Sequence, residues 1–380
     1  MGGYIVPHRS FRVLRFLGTH LRIWPDDNKK CNFKTDVFFW FCVINYVLLL
    51  LPLFNALYLN RKNVVAASNT WIEVSGYAEV LAAFIYSKYK RVQLYVLLCE
   101  AEKYLLSKKV TIIKKYANTY AKIFLLVILF YLFTVFVYWS IEKPITGYEY
   151  LITTAVYPFN IRSHPIKGLI YCNQTFNLMY SSILPVFDGI SVLLIFNCTH
   201  RLKILEHKFK LAKTSSDLSE CVREHDDVSR TIKETNSIVR FLVFKTVFSF
   251  TSNVIPGGLQ ILNNVALSQS ICQVCIILLV YSRIVLCAEC AGNMTDAGED
   301  LLFTIYSTLW YNEEPKIVSM KIFIIQKCQN IPAIHINGIM SGLGRKYLLT
   351  IMYSTFSYLT TLRTVTSDEK SYFATSRTST

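Results

Sequence analysis

Apolar residues in this chain fall in long blocks, without the regular polar interruption of a soluble domain. Residues 37–59 (VFFWFCVINYVLLLLPLFNALYL) contain no charged side chain. A block of about 18 or more such residues predicts a membrane-spanning helix, because hydrocarbon offers backbone N–H and C=O groups no partners except each other. Six further blocks follow: 66–87, which carries Glu73 and Glu79; 121–141; 175–197, interrupted by Pro185 and Asp188; 241–263, with Pro256-Gly257-Gly258 near its end; 268–290; and 342–365, the least apolar. An amphipathic stretch at 318–330 precedes the last. Segments 200–213 and 218–241 place apolar residues at helical spacing among charges, which predicts long helices projecting beyond the membrane. The expected fold is an all-α membrane protein with seven transmembrane helices.

Charge sets the expected orientation. Segments 1–36, 88–120 and 198–239 hold seven, eight and eight lysines and arginines, against two, three and none in 60–65, 142–174 and 264–267. Cytoplasmic loops carry the excess of basic residues, so the N-terminus is expected in the cytoplasm and, after seven crossings, the C-terminus outside. The tripeptide Asn173-Gln174-Thr175, a glycosylation sequon, fits an extracellular 142–174 loop. The expected divisions are a cytoplasmic segment at 1–36, six spanning helices with cytoplasmic helical extensions at 37–290, a helical anchor with a short helix before the last span at 291–341, the last span at 342–365, and a polar extracellular tail without ordered structure at 366–380.

Composition agrees with the pattern: 53% of residues are hydrophobic and the mean hydropathy is +0.35. A net charge of +15 would suit a nucleic-acid partner, but the basic residues flank apolar blocks along the whole chain, which is membrane topology and not a nucleic-acid footprint. Residues 1–30 have no apolar core of a signal peptide, so the first span is expected to act as its own insertion signal. Among the 11 cysteines, Cys272/Cys275 and Cys287/Cys290 form two C-x-x-C pairs. Fifteen residues of helix separate the pairs by roughly 22 Å, too far for one zinc site. No metal or other cofactor is expected. No phosphate loop, HExxH or GxSxG motif occurs, so nothing suggests an enzyme.

Three features suggest chemistry of another kind. Glu73 and Glu79 within a span either line a water-filled cavity, pair with Arg283 of the sixth block, or sit at the interface if the true span is shorter. Tyr77, Phe136, Trp139, Phe176, Met179, Tyr180 and Ile183 cluster in the outer halves of the second to fourth blocks. They are candidates for an apolar ligand pocket, although aromatic belts at the membrane surface give the same pattern. The last block mixes Thr350, Ser354, Thr355, Ser357, Thr360 and Thr361 with apolar residues. Tyr358, Thr361 and Val365 share one helical face there, as a water-lined pore requires; hydroxyl contacts between packed helices are the alternative.

Residues 286–363 carry a more specific signal. The Cys-rich end of the sixth block, Gly292, the pattern Ile305-Tyr306 then Trp310, the run Gln326-Lys327-Cys328, Gly338 and the ending FSYLTTLR resemble the insect odorant receptor signature. The segment LSECVREHDDVSRTIKETNSI, with His225, resembles that family's cytoplasmic helix. Phe356, Leu359 and Thr361 depart from the family's usual Tyr, Phe and Leu. The related gustatory receptors end in a Gln-Phe pattern that is absent here. The co-receptor of the family carries a long cytoplasmic insert for which loop 198–239 is too short.

The resemblance implies a variable, ligand-tuned subunit of a heterotetramer formed with that co-receptor, in the plasma membrane of sensory-neuron dendrites. It implies a pocket for volatile organic molecules in the outer half of the bundle and a nonselective cation pore lined by the last helix. A gustatory-type channel is the nearest alternative. A G-protein-coupled receptor would need the opposite orientation and has no DRY-like or NPxxY-like motif here. A transporter would use Glu73, Glu79 and Asp188 as binding carboxylates, but inverted repeats are not evident.

Overall fold

The computed structural model describes residues 9–21, 24, 33–106, 126–134, 136, 152–161, 165–212, 214–263, 267–308, 310–335 and 342–378. Among these the chain is helical with no strand. The helices are α1 (Arg9–His20), α2 (Phe33–Leu59), α3 (Val64–Tyr89), α4 (Arg91–Leu106), α5 (described over 126–134), α6 (Ile166–Tyr180), α7 (Ile183–Leu211), α8 (Ser215–Leu262), α9 (Leu267–Tyr306), α10 (Pro315–Cys328) and α11 (Arg345–Thr378).

Burial follows the apolar pattern. Most side chains of α7 are buried, which makes it the central helix. Helix α2 turns Cys42, Tyr46, Leu49 and Leu53 into the core and Trp40, Ile44, Leu48 and Leu51 outward. A helix apolar on both faces suits a position between protein and hydrocarbon. Four stretches, Thr35–Leu59, Ile166–Leu211, Ser215–Leu262 and Gln269–Asn312, are helical, long and apolar enough to cross a membrane.

The structure refines the sequence expectation in three places. The block at 175–197 is two helices, because the chain breaks at Ser181 and Ser182. Pro185 explains the break: its ring would collide with the Ser181 carbonyl in a continuous helix, whereas in the first turn of α7 its missing N–H is no loss. Secondly, the expected helical extensions at 200–213 and 218–241 are continuous with the spans. Helix α8 runs unbroken for 48 residues, roughly 72 Å at 1.5 Å per residue, more than twice the hydrocarbon thickness of about 30 Å. Its start is fixed by a capping box in which Thr214 and Asp217 exchange hydrogen bonds. Thirdly, α11 does not stop at 365 but continues to Thr378; no glycine or proline follows Gly344 to end it.

The extensions pack on one another. Buried Arg201 of α7 donates to Thr231 of α8 and to Glu100 of α4 (3.2 Å), and lies 4.1 Å from the centre of the Tyr104 ring. The amphipathic stretch expected at 318–330 is α10, with Pro315 in its first turn. The base of α11 is tied to α9 by Arg345, which reaches Glu289 at 2.7 and 2.8 Å and Asp296 at 3.0 Å.

Candidate functional site

Six helices converge on a cavity of about 150 Å³. Its walls come from α3, α5, α6, the first turn of α7, α8 and α9, and they are mainly apolar, with Ile72, Leu178, Leu184, Ile276, Leu279 and Val280 contributing. Apolar cavities of this size hold a benzene-sized molecule. The space arises partly from a missing side chain: a Cβ built on Gly76 of α3 meets no atom within 4 Å.

Charge closes one side. Arg283 donates through Nη2 to Glu79 Oε1 and through Nε to Asp188 Oδ2, each at 2.5 Å. Lys245 reaches the same two carboxylates at 3.0 Å each, and the Thr246 hydroxyl donates to Asp188 at 3.0 Å. All four charged side chains are at most 4% exposed. Two acids and two bases cancel, which is how a membrane-embedded bundle tolerates them. Arg283 and Glu79 also reach the cavity wall. Of the roles open to Glu79, the structure shows pairing with Arg283. Glu73 instead accepts the backbone N–H (2.9 Å) and hydroxyl (2.8 Å) of Thr154, tying down the 152–161 segment.

The expected pocket residues divide. Tyr77 lines the cavity. Phe176 stacks on Tyr180 with ring centres 5.6 Å apart, and the Tyr180 hydroxyl donates to the Leu21 carbonyl at 2.8 Å, so both belong to the packing between α6, α2 and α1. Ile183 is fully buried in the core. Phe136 (62% exposed) and Met179 (55%) point out of the bundle. Trp139 lies outside the described residues.

On α6 the cavity is lined by Leu178, and just past its end by Ser181, a different face from the aromatic one singled out in the sequence. Sequence reasoning also missed Gly76, Tyr131, Ser249 and Asn253. Lys245 was missed as well, although a lysine within an apolar block is itself a signal.

Two of the helices that wall the cavity also touch α11. The α8 wall runs on to Gly258, where a Cβ would lie 2.9 Å from the Leu359 side chain. The α9 wall runs on to the Glu289–Arg345 contact. On α11, Tyr358 and Thr361 are exposed, and the Thr361 hydroxyl donates to the Ser357 carbonyl at 2.9 Å. Val365 lies two turns beyond Tyr358 on the same helix, where only the backbone is described.

A bundle of long apolar helices around a small, largely apolar cavity is the architecture of a helical membrane protein. The chain matches the family model for the 7tm Odorant receptor over residues 82–341 and belongs to that family. Its fold is similar to that of the insect olfactory receptor OR5 from Machilis hrabei. The OR5 structure in complex with eugenol aligns with a TM-score of 0.79 at 16% identity, covering 93% of this chain and 98% of that one. A second structure of OR5 gives a TM-score of 0.76 at 14% identity, covering 93% and 99%. No curated protein sequence matches the chain.

Proposed function

We propose that this odorant receptor is the ligand-tuned subunit of a heteromeric, odorant-gated nonselective cation channel, assembled with a co-receptor subunit as a heterotetramer in the plasma membrane of sensory-neuron dendrites. In this reading the N-terminus is cytoplasmic and the C-terminus extracellular. The cavity beside Gly76 takes a volatile organic molecule, Tyr77 touches it, and Phe176, Tyr180 and Ile183 support the wall from behind. Four copies of α11 surround the pore, with Tyr358, Thr361 and Val365 facing it. The observation that carries the reading is the largely apolar cavity itself, whose α8 and α9 walls also touch α11 at Gly258–Leu359 and Glu289–Arg345.

The mechanism is a population shift. A ligand moves the equilibrium only by its different affinity for the two states, so occupancy favours whichever arrangement of α3, α8 and α9 leaves room for it. Burial of apolar surface contributes about 25 cal/mol per Å², which separates related volatiles only weakly.

Gly76→Leu tests the reading. The new side chain enters open space, and leucine suits a helix better than glycine, so surface expression is expected to hold. In cells co-expressing the co-receptor, odorant-evoked current is expected to fall by about tenfold or more in sensitivity for every ligand. Unchanged sensitivity in a variant expressed at the normal level would sink the assignment of this cavity as the ligand site.

A further inference from the structure

The hydroxyl groups of Tyr131, Ser181 and Thr134 on the cavity wall are oriented, and the orientation follows from counting protons. Ser181 Oγ donates to the backbone carbonyl of Leu178, which has no proton to give in return. A serine hydroxyl carries one proton. The hydrogen bond between Tyr131 and Ser181 must therefore use the proton of Tyr131. Tyr131 Oη is left with lone pairs and no proton for a guest. Thr134, one turn further along α5, gives its proton to the Phe130 carbonyl at 2.8 Å. All three residues line the cavity, and Tyr131 and Ser181 are each 7% exposed. On the facing α8 wall, the Asn253 amide donates to the Ser249 carbonyl at 2.6 Å and the Ser249 hydroxyl at 3.2 Å. Arg283 directs Nε, Nη1 and Nη2 to the carboxylates of Asp188 and Glu79.

We infer that the wall formed by α5 and α6 is a hydrogen-bond-accepting subsite, with Tyr131 Oη as its acceptor, and that it selects ligands bearing a hydroxyl donor, alcohols and phenols, over ethers, aldehydes and hydrocarbons of the same shape. The inference rests on the reading of this cavity as the ligand site. A hydroxyl ligand donates to Tyr131 and completes the chain that runs through Ser181 to the Leu178 carbonyl. An ether or carbonyl oxygen at the same place sets lone pair against lone pair. In a largely apolar cavity that difference is worth about tenfold in affinity.

The test records odorant-evoked current from the full-length chain with its co-receptor. The probes are matched alcohols, methyl ethers and hydrocarbons on several skeletons of up to about ten heavy atoms. The alcohols are expected to be about tenfold more potent than their ethers. Tyr131→Phe is expected to abolish that advantage by weakening the alcohols alone. Ser181→Ala removes the acceptor of the Tyr131 proton and frees it for a guest, so ethers are expected to gain about tenfold while alcohols hold.

Loss of the preference by opposite routes, alcohols weakened in one variant and ethers strengthened in the other, is something a role in packing alone would not produce. Equal loss for all three probe classes in both variants, no preference in the parent, or silence toward every alcohol overturns the inference. The Gly76→Leu channel separates the two levels. If it loses every response while the Tyr131 and Ser181 variants show no class dependence, the cavity reading stands and the hydroxyl inference falls. If the class preference is present but Gly76→Leu leaves it untouched, the cavity reading falls and the inference falls with it.

Discussion

Arg283 of α9 and Glu79 of α3 meet at 2.5 Å in the interior, 204 residues apart along the chain, where neither side chain is more than 3% exposed. Asp188 and Lys245 complete a neutral quartet that joins α3, α7, α8 and α9 beside the cavity. Removing one member strands a charge. Arg283→Met is therefore expected to cost about 3–5 kcal/mol, read as loss of monodisperse protein in detergent and a lowered melting temperature. Apolar replacement of all four residues together removes every charge and is expected to restore more folded protein than any single replacement does. A quadruple variant less stable than Arg283→Met would show that the quartet acts through more than charge balance.

Two glycines bring backbones or side chains close, with different tolerances. A Cβ on Gly298 of α9 would lie 2.4 Å from Cδ of Pro332, a ring that cannot rotate away. On Gly258 it would meet the end of the Leu359 side chain at 2.9 Å, which can turn. Gly298→Ala is expected to destabilise by about 1–3 kcal/mol, as overpacking does, and Gly258→Ala by clearly less. Because Leu359 belongs to α11, Gly258→Ala is expected to change odorant sensitivity more than melting temperature. Thermal melts of the purified variants, paired with dose–response curves, check both statements.

On the charged extensions of α7 and α8, outside their apolar spans, burial lowers the pKa of His200 and of His225 below the ordinary imidazole value of about 6.5. For His225 the neighbouring Asp226 opposes the shift and Lys327 reinforces it, while Cys328 Sγ lies 3.5 Å from Nε2. The sign follows. Just below pH 6.5 the unfolded chain binds more protons than the folded one, so the contribution of these neutral histidines is complete above that pH and is lost as pH falls. Melting temperature is expected to drop from pH 7.5 to pH 5.5, and by less in the His200→Asn/His225→Asn variant. An identical drop in the variant would remove these two side chains from the account.

The long helices were legible because an apolar block in lipid has few alternatives to helix. The break between α6 and α7 was half legible: Pro185 marked it, but the steric conflict acts four residues earlier, at Ser181. The extensions of α7 and α8 were legible from apolar residues at helical spacing within 200–213 and 218–241, because the change from apolar to charged composition at about residues 198 and 240 ends the apolar span and not the helix. The cavity was the least legible part. Large aromatics such as Phe136 and Met179's neighbour Tyr180 drew attention, whereas the space depends on what is absent at Gly76 and on the small Ser181 and Ser249. Which face of α6 turns inward is decided by packing against α2, and no periodicity within α6 encodes it.

The channel reading makes its sharpest demand on α11. Thr355 is 3% exposed and its hydroxyl donates to the Ile351 carbonyl at 2.7 Å, whereas Tyr358 and Thr361 of the next turns are exposed. Exposure in a single chain is compatible with lipid or with water, and the two differ in how they treat a charged reagent. Cysteine at 358 or 361 is expected to react with a water-soluble thiol reagent during odorant stimulation and to alter the current, and cysteine at 355 is not. The exposed native Cys99 and Cys172 must first be replaced, or their reaction will mask the result. Reaction at 361 but not at 355 gives a one-sided wet helix, which a pore needs and a lipid-facing helix cannot have, because a charged reagent does not partition into hydrocarbon. Protection of 358 and 361 alike under stimulation would move the conduction path away from this helix and leave the cavity as a receptor site whose output lies elsewhere.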